Sequence, residues 1–218
     1  MLKDLLHNKF FKKEIAILIV FYLTLIFSFV LGENSTGGAV LDYENQKKIV
    51  ERFSLNFSET FLSYDNYSTR HSPILLIFLS FFEKINFSDF SIRFIHLHYS
   101  LLLPFVFFKC LKVRFKIKNE NIFYLLTFLI FLSPTFRSLA IWPDSRISGL
   151  LFFTISLLFY LKFLETKKFN YALLNILSIA VSAYFSPNFS VFSIFFISNF
   201  VKYYKFQSKE FFLIVLIN

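Results

Sequence analysis

Long apolar runs separated by short polar connectors give the first map of this chain. A helix rises about 1.5 Å per residue, so roughly 20 apolar residues cross the hydrocarbon core of a bilayer. Runs near that length occur at 15–32, 94–111, 121–141, 147–164 and 171–186, with a shorter one at 189–201. They predict about six membrane spans. The stretch PILLIFLSFF at 73–82 is too short to span, and predicts an interfacial or re-entrant helix resting on its neighbours. Between the first run and this short helix lies a hydrophilic stretch at 33–71, read as the body of a large loop over 33–92. The chain ends in FFLIVLIN, which reads as a seventh span cut off soon after it begins.

The connectors alternate in charge. KVRFKIKNE at 112–120, KFLETKKF at 162–169 and KYYKFQSKE at 202–210 are basic and fall on one side, with the Lys-rich N-terminus. The 33–71 loop, by contrast, carries six acidic against four basic residues, and it shares the opposite side with RSLAIWPDSR at 137–146 and SPN at 186–188. The excess of Lys and Arg on cytoplasmic loops then places the N-terminus in the cytoplasm and the large loop outside. The first run lacks a small-residue cleavage pattern, so it reads as an anchor that is kept.

Composition agrees with this map. Mean hydropathy is +0.60, with 56% hydrophobic and 17% charged residues, too apolar a balance for the surface of a soluble 26.0 kDa domain. The fold class predicted is all-α, a polytopic bundle forming a single membrane domain over 1–218. The net charge of +9 lies in clusters between apolar runs, which points to orientation signals and membrane lipids and away from nucleic acid. The single Cys110 cannot form an internal disulfide and reads as an inert buried thiol.

Polar groups that could do chemistry gather on the outer side. Asp42 and Glu44 follow Gly37 and Gly38 where the chain leaves the bilayer. A carboxylate there reads either as a general base tuned by apolar surroundings and nearby cations or as an ordinary solvated loop residue. Arg70 and His71 precede Ser72 and Pro73 at the start of the short helix, a place suited to a phosphate or simply to a snorkelling arginine. Arg137, Trp142, Asp144 and Arg146 form a second outer cluster, read as a substrate site or a loop ion pair with Trp142 in the interface belt. His96 and His98 stand two apart at the head of the second span, a spacing that points them to different sides of a helix and argues against a metal pair. Phosphate-cradling loops, hydrolase triads and zinc-ligand spacing are absent from the sequence.

GGAVLDYE at 37–44, the RHSP entry to the short helix, RFIHLHYSLLLPF at 93–105, SPTFRSLAIWPDSR at 133–146 and YFSPNFSVF at 184–192 together form a familiar layout. It resembles the GT-C superfamily of integral-membrane glycosyltransferases, near the mannosyltransferase and aminoarabinose-transferase branch. The resemblance implies an inverting transferase that takes a sugar from a polyprenyl-phosphate carrier and passes it to a lipid, glycan or protein acceptor on the periplasmic face of a bacterial inner membrane. It implies Asp42 as the base, Glu44 as its assistant, Arg70 and His71 against the carrier phosphate, and Arg137, Asp144 and Arg146 in a second outer-loop site. Some branches use a divalent cation and others do not. Members of the family are longer, which agrees with a chain cut short.

Two other classes fit the hydrophobic pattern. A lipid-linked polysaccharide polymerase or flippase would also use outer Arg and Asp residues, but carries its large loop late in the chain. A transporter or structural subunit would place polar groups at mid-membrane, whereas here they sit at the ends of the runs.

Overall fold

The computed structural model describes residues 9–35, 38–67, 69, 72–116, 120–204 and 208–217. Among these it is all-helical, with apolar helices of membrane-crossing character. α1 (Lys9–Leu31) turns Phe21, Leu25 and Phe29, spaced four apart, into the core, while Phe27, Val30 and Leu31 stay exposed on other faces. It stops where Gly32 takes a left-handed φ of 63°, with Gly32 N–H bonding the Phe29 carbonyl and Glu33 N–H the Ser28 carbonyl. This is a Schellman closure, and it needs glycine because a side chain is strained at that φ.

The hydrophilic stretch after it is helical, not a loop. α2 (Ala39–Leu55) and α3 (Phe57–Leu62) are followed by a 3₁₀ turn at Tyr64–Tyr67. Tyr43, Val50 and Phe53 lie on one side of α2 and pack on Leu75, Leu76 and Leu79 of α4 (Ile74–Lys84). α4 is the predicted short helix, and it rests on its neighbours as expected.

α5 (Asp89–Ser100) and α6 (Leu102–Phe115) run on as one 27-residue apolar helix, which contains the expected run at 94–111. The expected continuous span at 121–141 is broken instead. α7 (Glu120–Phe128) passes into a 3₁₀ turn at Leu129–Leu132, and α8 (Pro134–Ile141) leaves at 78° to it. Pro134 has no N–H and disfavours helix at the residue before it, while the Ser133 hydroxyl accepts the Phe136 N–H and starts a new helix.

α9 (Ser145–Thr166) is capped by Asp144 and packs along α10 (Phe169–Phe185). Inside that pair Asn175 Nδ2 donates to the Ser156 carbonyl at 2.9 Å and to its hydroxyl at 2.8 Å. Ser182 Oγ donates to the Gly149 carbonyl at 2.6 Å. A Cβ on Gly149 would stand 2.8 Å from Phe189 Cε2 and 2.9 Å from Ser186 Cβ. Gly149→Ala is therefore expected to cost about 1–3 kcal/mol through overpacking, read as a lower unfolding midpoint in detergent; an unchanged midpoint would show that Phe189 moves aside freely. α11 (Val191–Tyr203) and α12 (Lys209–Ile217) complete the bundle.

By length and composition two described helices can cross a membrane, Asp89–Phe115 and Ser145–Thr166, or three if the bent pair counts as one span. This is fewer than the six expected. The apolar helices Ile15–Leu31 and Phe169–Phe185 are shorter, with 17 residues each reaching about 25 Å against a hydrocarbon core near 30 Å. Ser-Pro steps at 133–134 and 186–187 cut what the hydropathy pattern joins.

Candidate functional site

Hydrogen bonds tie together polar segments that are far apart in sequence. Trp142 Nε1 donates to the Glu33 carbonyl at 3.0 Å, Tyr43 OH to Asp89 at 2.7 Å, and the Ser72 hydroxyl to the Tyr184 carbonyl. Among the basic connectors, Phe163 and Phe169 pack on Tyr204.

Two clusters that are far apart in sequence meet here. The Arg146 guanidinium holds Asp144 with Nε at 2.9 Å and Nη2 at 2.7 Å, and the same Nη2 reaches Asp42 at 3.2 Å. Asp144 is set by its cap, accepting the Arg146 backbone N–H at 2.6 Å, and its side chain is only 5% exposed. Asp42 is 53% exposed and Arg146 43%, so the pair opens outward from a buried anchor. The Nη1 end of Arg146 has no protein partner among the described residues.

Asp42 also borders a cavity of about 530 Å³ between α2, the 3₁₀ turn, α4 and the head of α9. Positions 42, 45, 46 and 49 share one side of α2 and line it, facing Tyr64 and Tyr67. A second cavity of about 400 Å³ adjoins it through Leu75, which lines both. This one is apolar, bordered by Phe78, Leu79, Ile95, Phe152 and Val181; Ser145 lines the first cavity and Ser148, one turn on along α9, the second.

Among the other expected residues, Glu44 and Arg137 lie elsewhere. Glu44 is exposed on α2, two residues from Asp42 and so about 200° around the helix from it, and it does not line the cavity. Arg70 and His71 lie outside the described residues. Arg137 does not join Asp144 and Arg146. Its Nε and Nη2 form a fork on Glu33 at 2.8 and 2.9 Å, and its Nη1 donates to the Phe131 and Leu132 carbonyls at 3.0 Å each. With all these groups committed, it acts as a clamp on the bend. Glu33 also accepts the Ser28 and Ser35 hydroxyls. Burial raises its pKa, but the Arg137 and serine hydrogen bonds outweigh this and hold the carboxyl at about 2.

Trp142 is held by protein groups on several sides. The Arg93 guanidinium lies 3.4 Å from its ring centroid and 5.1 Å from that of Phe29, with Arg93 Nε donating to the Ile141 carbonyl at 3.2 Å. Tyr43 packs on the indole, and burial, then its bond to Asp89, push the Tyr43 phenol well above its usual range. His96 and His98 point apart as expected, His96 to the Leu139 carbonyl at 3.2 Å and His98 to Tyr22 OH at 2.9 Å.

Sequence reading passed over Glu33, Gln46 and the Tyr64–Tyr67 wall. The spacing of Tyr43, Val50 and Phe53 carried the signal, since it makes 39–55 an amphipathic helix whose other positions can then be placed. Among the described residues no group of three or more His, Cys, Asp or Glu could hold a metal ion. The carboxylates of Asp42 and Asp144 are already bridged by a guanidinium, so this donor set does not fit a divalent cation. No family model, curated protein or solved structure matches the chain.

Proposed function

We propose that the protein is a membrane glycosyltransferase that moves a sugar from a polyprenyl-phosphate carrier to an acceptor on the outer, non-cytoplasmic face of a bacterial inner membrane. The observation that carries this reading is a cavity of mixed polarity, bordered by Asp42 beside Arg146, lying next to an apolar cavity that shares Leu75 with it. Such a pair of chambers fits a substrate with a polar head and a hydrocarbon tail. In the reaction an acceptor hydroxyl attacks the anomeric carbon, the bond from that carbon to the carrier phosphate breaks, and inversion follows. The Asp42 carboxylate takes the hydroxyl proton, and the Nη1 edge of Arg146 offsets charge on the departing phosphate. The further apolar segments complete a bundle of about six spans with the N-terminus inside, as the basic connectors favour.

The test is transfer in membranes holding the full-length gene product, supplied with radiolabelled sugars on polyprenyl phosphate or on short-chain phosphate. Label is expected on an acceptor only from the long-tailed donor. Val181→Phe, which narrows the apolar cavity, is expected to raise donor KM about tenfold with little change in kcat. Absence of transfer from every carrier at normal expression removes the reading in favour of a transporter or structural subunit.

A further inference from the structure

The elbow between α2 and α3 turns apolar side chains outward. Leu55 and Leu62 are each 86% exposed and Phe57 and Phe61 about half exposed, in a stretch whose composition is otherwise polar. Single exposed leucines are ordinary on any surface, but here four large side chains stand within one short segment. Phe57 stacks on Phe61 with centroids 6.0 Å apart and planes 10° from parallel, and it also meets the buried Phe53, so the group is rooted in the core. Asn56 caps α3 by accepting the Glu59 N–H, which holds the corner in this shape.

Polar groups border the elbow. Arg52, three residues before Leu55, is exposed, and its guanidinium lies 5.2 Å from the Tyr67 ring centroid while Nη1 donates to the Tyr67 hydroxyl at 3.3 Å. Apolar tips beside an arginine and a tyrosine are the pattern of a segment seated at a bilayer surface, the tips in hydrocarbon and the polar ends at headgroup level. The exposed charges nearby are Lys48 and Arg52 against Glu51, Glu59 and Asp65, one net negative charge, too little to repel a largely zwitterionic leaflet.

The position of the elbow in the fold points to lipid as its cover. Beyond the 3₁₀ turn the chain reaches Ser72, whose hydroxyl bonds the Tyr184 carbonyl in the last turn of the apolar helix α10. α2 packs on α4, which leaves Phe78, Phe81 and Ile85 exposed. Phe90 and Phe94 are exposed in turn on Asp89–Phe115, a helix long and apolar enough to cross a membrane, so apolar surface continues from that helix to the layer that carries the elbow. A stable protein interface uses roughly 20–30 residues a side, far more than this segment offers.

We propose that residues 55–62 are a membrane foothold, in which Leu55, Phe57, Phe61 and Leu62 enter the bilayer leaflet on the α2 side with Arg52 at the level of the lipid phosphates. The inference does not rest on the transferase reading. It sets α2, and with it the mouth of the Asp42 cavity, at headgroup depth.

The test uses the full-length protein with one added cysteine, Leu55→Cys or Leu62→Cys, and Lys48→Cys as a reference on the water side. Each carries a nitroxide label in vesicles of phosphatidylcholine and phosphatidylglycerol, and the parent, whose Cys110 is buried, is the blank. Power-saturation EPR compares collisions with oxygen, which concentrates in the bilayer, and with a water-soluble nickel chelate. Oxygen is expected to dominate at 55 and 62, at a depth of about 5–10 Å, and nickel at 48. Phe57→Asp together with Phe61→Asp is expected to return the label at 62 to the nickel-dominated ratio, and unfolding midpoints report that each variant folds. Nickel-dominated collisions at both 55 and 62 overturn the proposal. So does an immobile label shielded from both reagents, which would put a protein surface over the elbow.

Discussion

Asp42→Asn is expected to slow sugar transfer by roughly 10²–10⁴-fold, the usual contribution of a positioned general base, with the unfolding midpoint almost unchanged. The two halves of this expectation come from the same geometry. Among the described residues the Asp42 carboxylate is held by Arg146 Nη2 at 3.2 Å, and its side chain is 53% exposed, so the pair contributes little to stability. Asn has nearly the same shape and can still accept from Arg146, but it cannot take a proton from an acceptor hydroxyl at neutral pH. Initial rates with labelled polyprenyl-phosphate sugar, alongside donor binding, make the measurement. Transfer that persists in Asp42→Asn removes the base role and leaves the two-chamber site to be explained by other residues.

The largest stability effect is expected at Arg137. Arg137→Met leaves the Glu33 carboxylate, 19% exposed, with only serine hydroxyls, and frees the Phe131 and Leu132 carbonyls at the bend. Removing one partner of a largely buried pair costs about 3–5 kcal/mol, to be read as a lower midpoint in detergent. Adding Glu33→Gln to that variant should recover part of the loss, because no buried charge is then left alone. A pH dependence follows. The Glu33 carboxyl titrates near 2 in the fold against 4.5 ordinarily, a lowered value, so its contribution is present above about 4.5 and is lost as pH falls toward 2. Wild type should lose stability across that window and Glu33→Gln should lose less. Equal acid sensitivity in both would put the acid-labile contact elsewhere.

Hydropathy made the apolar helices legible, and the Pro73 entry made α4 legible as a short helix. It failed at Ser133–Pro134, where a run of near-uniform hydrophobicity conceals a 78° bend, because a window average does not register one missing N–H. It failed too at 39–55, where polar composition outweighed a helical stripe of apolar residues. The sequence reading names Asp42, Asp144 and Arg146 but leaves them in two clusters. Joining them takes the tertiary contact across 104 positions that Arg146 makes to Asp42. Arg137 looks like a third member of that group by proximity, yet its guanidinium turns to Glu33, a residue that nothing in the local sequence pairs with it.

Trp142 is the chain's single tryptophan, and it touches three separate pieces of the fold: the Glu33 carbonyl, the Arg93 guanidinium and the Tyr43 ring. Its emission is therefore an intrinsic optical gauge of whether α2 is seated on the bundle. Lifting α2 takes away one wall of the indole's surroundings, so the colour and yield of one native fluorophore follow the opening of the outer layer, with no label attached.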